Sequence, residues 1–328
     1  MKKKLLGIIV AIAAVVETSV LTVPAHAATT TVSIDYANWN PLSLVIKSQG
    51  WLDADLKKQG VTLNWVYSAG SAAAIQNLNA NAIQLGSSAG VAAFVARSNG
   101  VPIKTIGVFS QPNWAAIVVG KNSSLTSPAQ LKGKKIAAQK GTDPYFFLLQ
   151  TLAKFKLDPV KDVTIVNLAH ADGRAALTRG DVDAWSGLDP ITAQSVKVDG
   201  SKIIFQNPRF NTYGVLSARE DFIASSPKII KTILANYQKA RQWVKDNQEG
   251  AVKILSDSAK IDLDVARTVL LERTKLAINI TPGQNQQGVL QGILPVLVAD
   301  AQVTSLETAQ KALASLYDSN LSTSIYTK

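Results

Sequence analysis

The residues best suited to chemistry lie in short turns that are rich in glycine, hydroxyl and amide side chains, with a tryptophan in three of them. Small residues expose backbone N–H groups, and hydroxyls and amides add donors, so these turns suit a small oxyanion held where helices begin. The candidate ligand-binding residues are Asn38, Trp39, Asn40, Gly70, Ser71, Ser87, Ser88, Gln111, Trp114, Gly141, Thr142, Asp172, Arg174, Trp185 and Asp189. Ordinary helix capping by the same residue types is the alternative.

The aspartates of these turns allow two roles. Asp143 and Asp189 each precede a proline, a pattern typical of a capping aspartate followed by proline at the first helical position. Capping is the role we expect for both. Asp189 also lies close to Trp185 in sequence, where a carboxylate could hold a ligand amine. For a neutral or cationic ligand, Asp143, Asp172 and Asp189 would be the counter-charges.

Arg174 begins a predicted helix at residues 174–179, a position where a cation is unfavourable to the helix dipole. We therefore expect either an ion pair with Asp172 or a contact with an anion. His170, in the same turn, is expected to be an ordinary hydrogen-bonded loop histidine. We place Trp39, Trp114 and Trp185 on loops, where their rings could wall a cleft.

Composition excludes several classes of site. The chain has 328 residues, no cysteine and two histidines, His26 and His170. Without cysteine there is no disulfide, no thiolate nucleophile and no lipid-modified cysteine. So few histidines argue against a Ser-His-Asp hydrolase or a two-histidine metal site, and the glycine-rich phosphate motifs are absent. We expect no catalytic residue, no metal ion and no cofactor.

The first 27 residues have the pattern of a Sec signal peptide. A basic stretch at 2–4 precedes an apolar run at 5–16 and the small-x-small sequence Ala25-His26-Ala27. A helix of that run rises only ~18 Å, whereas a bilayer core measures ~30 Å. We expect a periplasmic protein that begins near Ala28 and has no lipid anchor. The formal net charge of +11 favours anions, but the lysines are mostly scattered, so nucleic acid is not an expected partner.

The segments between these turns alternate between short β-branched runs and helical patterns, which predicts an α/β fold with mostly parallel sheets. A first series ends near residue 109, a second begins at 115, and the pattern after Pro227 is helical. One apolar stripe at three-to-four spacing is marked by Ile230, Ile233, Leu234, Tyr237 and Trp243. The predicted strands are 31–36, 61–67, 82–86, 103–109, 115–119, 135–138, 163–168, 182–185 and 213–217. The predicted helices include 42–56, 71–79, a segment ending at 97, 144–155 and 174–179.

Three motifs carry a family resemblance. The sequence LKGKKIAAQKGT at 131–142 resembles the DLKGKKVAVQKGS stretch of aliphatic-sulfonate-binding proteins of ABC importers. ADGRAA at 171–176 resembles their ADARAAF, and GDVDAWSGLDP at 180–190 resembles their GSVDAWVIWDP. The wider group includes taurine, nitrate and thiamine-precursor binding proteins. Two turns depart from the pattern, because TGxxPP is replaced by SSAGVA at 87–92 and the first turn is NWNP at 38–41.

The resemblance implies a type II periplasmic binding protein, in which two α/β lobes are joined by two crossover strands and the helical C-terminal third packs on lobe one. Lobe one would comprise 28–116 and 218–328, and lobe two 117–217. The implied function is that of an exported, monomeric solute-binding protein that captures a small organic anion, foremost an alkanesulfonate, by hinge closure. Its partners would be ABC permease subunits at the inner membrane. Taurine, nitrate, a thiamine-precursor-like amine, a sensing role and a cofactor-biosynthesis enzyme on the same fold are the alternatives.

Overall fold

The computed structural model describes residues 30–326, so the predicted signal peptide at 1–27 lies outside the described residues. Across 30–326, no helix is both long and apolar enough to span a bilayer. The strands of this part of the chain are β1 (Thr30–Tyr36), β2 (Val61–Tyr67), β3 (Leu85–Ala89), β4 (Ile103–Pro112), β5 (Ala115–Val119), β6 (Lys135–Ala138), β7 (Thr164–Asn167), β8 (Ala184–Leu188), β9 (Lys202–Phe205), β10 (Gly214–Arg219) and β11 (Thr274–Lys275).

Helices connect and cover these strands. They are α1 (Pro41–Gln49), α2 (Trp51–Lys57), α3 (Ser71–Asn79), α4 (Gly90–Ser98), α5 (Asp143–Lys154), α6 (His170–Arg179), α7 (Ile191–Gln194), α8 (Glu220–Ser225), α9 (Pro227–Asp246), α10 (Gln248–Ala259), α11 (Leu263–Arg267), α12 (Gln284–Ala299), α13 (Leu306–Leu316) and α14 (Asn320–Tyr326). Short 3₁₀ or π segments lie at Pro128–Leu131, Ser195–Asp199, Pro208–Phe210 and Thr268–Glu272.

The strands form two sheets. The first has the order β11-β4-β10-β3-β1-β2, and the second has the order β7-β6-β8-β5-β9. In the first sheet, β1 is parallel to β2 and β3, while β10 runs antiparallel between β3 and β4. In the second sheet, β6 is parallel to β7 and β8, and β5 is antiparallel to β8 and β9. The sheets of residues 30–326 are therefore mixed, with four parallel and five antiparallel strand pairings, and the expectation of mostly parallel sheets is wrong.

The chain passes between the sheets twice, once between β4 and β5 and once between β9 and β10. We call residues 30–112 and 214–326 lobe one, residues 115–205 lobe two, and 113–114 and 206–213 the first and second crossover segments. The boundaries expected from the sequence, at 116–117 and 217–218, fall inside β5 and β10.

Several elements differ from the sequence prediction in ways that affect the site. The predicted helix at 42–56 is two helices, because Gly50 adopts a φ of 64° and ends α1. Helix α6 begins at His170, so the predicted turn at 170–174 is its first turn and Arg174 does not open the helix. Strands β3 and β8 lie three and two residues further along the chain than predicted at their starts.

The C-terminal part of lobe one is helical apart from the two-residue strand β11. The predicted apolar stripe of α9 is confirmed, because Ile230, Ile233, Leu234 and Tyr237 are buried and Trp243 is half-buried. Helix α9 packs on α1 and α2, and α13 packs on α4. This layer fixes the helices that begin at the edge of the first sheet facing lobe two.

Candidate functional site

Three helices begin where the lobes meet. A Cβ built on Gly70, just before α3 of lobe one, would lie 3.5 Å from Nε2 of His170, the first residue of α6 in lobe two. A Cβ built on Gly141, just before α5, would lie 3.8 Å from the Cβ of Ala72 in α3. The first N–H groups of a helix have no partner within the helix and carry partial positive charge. The starts of α3, α5 and α6 therefore form an inter-lobe position that favours an anion.

Two tryptophans adjoin the start of α5. The rings of Trp39 and Trp114 meet edge to face with centroids 5.7 Å apart, and Trp39 also packs on Phe109. Nε1 of Trp114 donates to Asp143 at 2.7 Å. Trp39 is buried, and its Nε1 donor has no hydrogen-bond partner among the described residues. As expected, both tryptophans lie outside regular elements, where they bring an aromatic surface beside the helix starts.

Asp143 ties α5 to both crossover segments. Its carboxylate accepts from Nε1 of Trp114, from the backbone N–H of Thr212 at 3.1 Å and from Oγ1 of Thr212 at 2.6 Å. Burial raises the pKa of Asp143 to about 6, against the lowering effect of these donors. The expected capping role is thus wrong for Asp143, because Thr142 is the N-cap residue and the Asp143 carboxylate is directed at the crossover segments.

The second crossover segment also occupies the start of α4. The backbone N–H of Gly90 donates to the carbonyls of Thr212 and Tyr213, and the N–H of Val91 donates to Oγ1 of Thr212 at 3.0 Å. A Cβ on Gly90 would lie 2.2 Å from the Thr212 carbonyl oxygen, so only glycine permits this approach. The first two N–H donors of α4 therefore bind the chain itself. Nothing in the sequence singled out Thr212.

The serines predicted around β3 are hydrogen-bonded inside lobe one. The N–H and Oγ of Ser87 donate to Asp35 at 2.8 and 3.0 Å, and Oγ of Ser88 donates to the carbonyl of Ala89. Oγ of Ser71 accepts from the N–H of Ala89 at 2.9 Å. Burial raises the pKa of Asp35 to about 7, and its bonds to Ser87 oppose that effect. These side chains fix the turns after β2 and β3.

The amides of the first turn are likewise structural. Asn40 caps α1 by accepting from the N–H of Ser43, and its side chain donates to the Tyr237 hydroxyl at 3.0 Å. Asn38 donates to the Tyr67 hydroxyl and accepts from Oγ of Ser258 at 2.8 Å. These contacts stay within lobe one, so the first turn brings Trp39 alone to the lobe boundary.

Asp189 makes the other prominent link between the lobes. Its carboxylate lies 3.1 and 3.2 Å from Nη1 of Arg273, which follows α11 in lobe one. It also accepts from the N–H of Ala193 in α7 at 3.0 Å, but Pro190 is the N-cap residue of that helix, so the expected N-cap role is wrong for Asp189 as well. Burial raises the pKa of Asp189 to about 6, and the charge of Arg273 opposes this. No local sequence pattern pointed to Arg273.

Two further contacts join the lobes. The Tyr145 hydroxyl of α5 donates to Asp300 at the end of α12 at 2.7 Å. Lys197 and Asp264 form an exposed ion pair at 3.6 Å. The lobes are thus in contact near β2, near β11 and along α5.

Two predictions about α6 and β8 are wrong. Arg174 pairs with Asp199 at 2.7 and 2.9 Å, with a further bond to Gln194, and not with Asp172, which is exposed. Trp185 lies on β8 rather than on a loop and is fully buried in the core of lobe two beneath α6. Both errors follow from misplaced element bounds, because α6 begins four residues before Arg174 and β8 continues beyond Trp185 to Leu188.

Thr142 and Gln111 complete the predicted set. Oγ1 of Thr142 donates to the Gln139 carbonyl at 2.6 Å and closes the turn before α5. Gln111 pairs in register with Lys275 and lines a polar cavity of about 490 Å³ bordered by Tyr213 and residues 277–286. That cavity lies beside β11 and does not include the helix starts described above. Among residues 30–326, no cluster of three metal-ligating side chains is present.

His170 is the residue that sequence reasoning misjudged most. It is 3% exposed, and neither ring nitrogen has a hydrogen-bond partner within the described chain, although we expected a bonded loop histidine. Burial lowers the pKa of His170 to about 4, so the ring is neutral at neutral pH. The sequence offered no signal that places this ring at the lobe boundary, because Ala169 is an apolar N-cap that does not mark the start of α6.

Known proteins share this architecture and sequence pattern. The family model described as "NMT1/THI5 like" matches residues 44–251, which is more than half of the chain. The chain belongs to the NMT1/THI5-like family. Relatives of this NMT1/THI5-like chain include two proteins named for binding aliphatic sulfonates. One, from Bacillus subtilis (strain 168), is 29% identical over 231 residues, which is 69% of each chain. The other, from Escherichia coli (strain K12), is 26% identical over 271 residues, or 82% of this chain and 84% of the relative.

The fold comparison agrees. The periplasmic aliphatic sulphonate binding protein SsuA from Escherichia coli superposes with a TM-score of 0.75 at 22% identity, covering 88% of this chain and 92% of that one. The NMT1/THI5-like chain therefore has the α/β periplasmic-binding-protein fold, and both the family resemblance and the fold class expected from the sequence are confirmed.

Proposed function

We propose that this chain is the exported solute-binding protein of an ABC importer and that it captures a small organic anion, foremost an alkanesulfonate, between its lobes. The observation that carries the proposal is the junction of three helix starts, α3 from lobe one and α5 and α6 from lobe two, at the lobe boundary. A sulfonate is ionised at any biological pH and only accepts hydrogen bonds. It therefore matches a position built from N–H donors.

The remaining donors at the boundary strengthen the case for an anion. The Trp39 indole and the His170 ring are buried. Within residues 30–326, neither Nε1 of Trp39 nor either ring nitrogen of His170 has a hydrogen-bond partner. Buried polar groups in native proteins are nearly always paired, so unpaired donors at a boundary between lobes suggest a ligand acceptor. The Trp39–Trp114 pair would pack against the organic part of the guest.

The paired carboxylates weaken the case for a cationic guest. Asp143 is occupied by Trp114 and Thr212, and Asp189 is occupied by Arg273. Asp172, the third candidate counter-charge, is exposed on α6. An amine held by Asp143 or Asp189 would have to displace the present partners of that carboxylate, and an amine held by Asp172 would bind at an exposed site, whereas an anion needs none of the three.

The magnitudes are compatible with useful affinity. Micromolar binding corresponds to about −8 kcal/mol. Charge-assisted hydrogen bonds contribute ~1.5–3 kcal/mol each before the costs of association, so five or six donors suffice. The starts of three helices and two side chains can supply that number.

Capture would proceed by hinge closure. The crossover segments, short and close together at Asp143, would act as the hinge, and the Asp189–Arg273 and Tyr145–Asp300 contacts would form as the lobes close. A guest that bridges the lobes favours the closed state because it binds the closed arrangement more tightly than the open one. The closed protein would then dock, as a periplasmic monomer, on the permease subunits of the importer. The names of the two relatives, which specify binding of aliphatic sulfonates, support this assignment.

Isothermal calorimetry tests the proposal. Ethanesulfonate, taurine, nitrate and ethanolamine are titrated separately into the purified protein. We expect heat with ethanesulfonate, weaker heat or none with nitrate, and none with ethanolamine. The absence of heat with every anion would contradict the anion assignment, and tight binding of ethanolamine would favour the amine alternative.

A further inference from the structure

The ring of His170 spans the boundary between the lobes. It starts α6 of lobe two, and its Nε2 lies against Gly70 at the start of α3 in lobe one. The same Gly70 position is 3.9 Å from Oε1 of Gln139. His170 is nearly completely buried there, yet neither nitrogen has a partner anywhere in residues 30–326.

An imidazole without partners is unusual in a folded protein. A neutral histidine has one N–H donor and one acceptor nitrogen, and burial of either without a hydrogen bond is unfavourable. Burial alone accounts for the lowered pKa of His170. An anion at the same place would reverse both effects, because it accepts the ring N–H and favours the imidazolium form.

The charged groups near the His170 ring are paired with other residues or are exposed to solvent. Helix α3 has no ionisable residue. In the turn before α5, Lys140 is exposed, and at the start of α5 the Asp143 carboxylate binds Trp114 and Thr212. On α6 itself, Asp172 is exposed and Arg174 is paired with Asp199. No carboxylate of the described residues hydrogen-bonds to the ring, so a bound anion would be its dominant charge partner.

We propose, on the basis of the function proposed above, that His170 is a specificity residue that donates a ring N–H to the anionic group of the guest, and that binding of the guest is coupled to uptake of one proton by this ring. The sign follows from linkage. The guest raises the affinity of the ring for a proton, so protonation raises the affinity of the protein for the guest. Affinity therefore increases as pH falls and decreases as pH rises through the pKa of the bound form. A sulfonate does not titrate in this range, so the pH dependence reports on the protein.

The test measures ethanesulfonate binding to the wild type, His170→Gln and His170→Leu by calorimetry between about pH 5.5 and pH 7.5. Two buffers of different ionisation enthalpy are used at each pH to count protons. His170→Gln retains a donor and an acceptor but cannot titrate. His170→Leu fills the space without either. Arg179→Gln, at the exposed end of the same helix, is the matched control. Circular dichroism at each pH verifies that every variant is folded.

We expect wild-type affinity to increase about tenfold on going from pH 7.5 to pH 5.5, with proton uptake on binding. His170→Gln should bind within about threefold of wild type at pH 7.5 but lose the pH dependence, and His170→Leu should bind at least tenfold more weakly. Because burial also raises the pKa values of Asp143 and Asp189 to about 6 and that of Asp35 to about 7, the comparison with His170→Gln isolates the histidine.

Two outcomes of the calorimetry would overturn the inference while leaving the proposed function in place. One is wild-type binding with no proton uptake, and the other is a pH dependence that persists in His170→Gln. The absence of ethanesulfonate binding by the folded wild type would instead refute the proposed function and this inference together. Proton NMR gives an independent readout, because the imidazole resonance of His170 is identified by its absence from the spectrum of His170→Gln. It should titrate at a higher pH when ethanesulfonate is present, and an unchanged titration would also contradict the inference.

Discussion

The carboxylate of Asp189 in lobe two lies 3.1 Å from the guanidinium of Arg273 in lobe one. This pair contacts the first sheet near β11, whereas the His170–Gly70 contact lies near β2, at the opposite edge of the same sheet. The lobes are therefore in contact both at the starts of α3 and α6 and at the opposite edge of the first sheet. An ion pair at one edge can act on ligand affinity without touching the ligand, because it stabilises the closed arrangement.

Replacement of Arg273 by methionine tests that coupling. The change leaves the Asp189 carboxylate buried and unpaired when the lobes are closed, which is strongly unfavourable. We expect ethanesulfonate affinity to fall about tenfold, or ~1.4 kcal/mol, as measured by calorimetry. Lys197→Met is the matched control, because the Lys197–Asp264 pair also crosses the lobes but is exposed. Its affinity should stay within about twofold of wild type. Equal effects of the two variants would show that the buried pair has no special role.

A double-mutant cycle tests the hydrogen-bond network around the Asp143 carboxylate. Trp114→Phe removes the indole donor, and Thr212→Val removes the hydroxyl donor, from the same buried carboxylate. We expect each variant to lower the free energy of unfolding in urea by about 1–2 kcal/mol. The two losses should not add, because both variants change the ionisation of one group. Strict additivity would show that Asp143 does not couple the crossover segments.

Much of the fold could be predicted from the sequence, because hydrophobic periodicity indicates where most strands and helices lie. The segments 61–67, 71–79, 115–119 and 135–138 coincide with β2, α3, β5 and β6, and the α9 stripe is buried as predicted. The start of α6 was missed because Ala169, an apolar N-cap, provides no capping signal.

The candidate site was only partly predictable. Glycine-rich turns marked the starts of α3 and α5, but hydrogen-bond partners distant in sequence decide which donors remain free. Ser87 looked like a ligand donor until the structure placed Asp35 beside it, a contact spanning 52 residues. Arg273 and Thr212 act through tertiary contacts alone, and no local pattern reports such contacts.

Substitution of Gly90 by alanine should disrupt the packing of the start of α4 against the second crossover segment. The added methyl group would lie 2.2 Å from the Thr212 carbonyl oxygen, a backbone atom that cannot move without shifting the crossover. We expect a loss of at least about 2 kcal/mol in the free energy of unfolding. Gly288→Ala provides the contrast, because that position lies inside α12 with open space around it. It should be stabilised by about 0.5–1 kcal/mol. Equal melting temperatures for the two variants would contradict this account.

The buried carboxyl of Asp35 predicts a pH dependence of stability. Burial raises its pKa from the ordinary value of 3.8 to about 7, so the folded form binds the proton more tightly than the unfolded chain does. The associated stability is present below about pH 4 and is lost as pH rises through 7. On going from about pH 5 to pH 8, the midpoint of urea unfolding should fall less in Asp35→Asn than in wild type. Asp181→Asn, at an exposed carboxylate, should behave like wild type. A wild-type-like decline in Asp35→Asn would refute the role of Asp35.

The position of a bound sulfonate is the most direct test of the account. Crystals grown with bromoethanesulfonate allow the bromine to be located by anomalous scattering, and the sulfonate is then placed in the electron density. We predict sulfonate oxygens within hydrogen-bond distance of backbone N–H groups at the starts of α3 and of α5 or α6, with the bromine near the Trp39–Trp114 pair. A sulfonate bound within one lobe, away from these helix starts, would contradict the central claim.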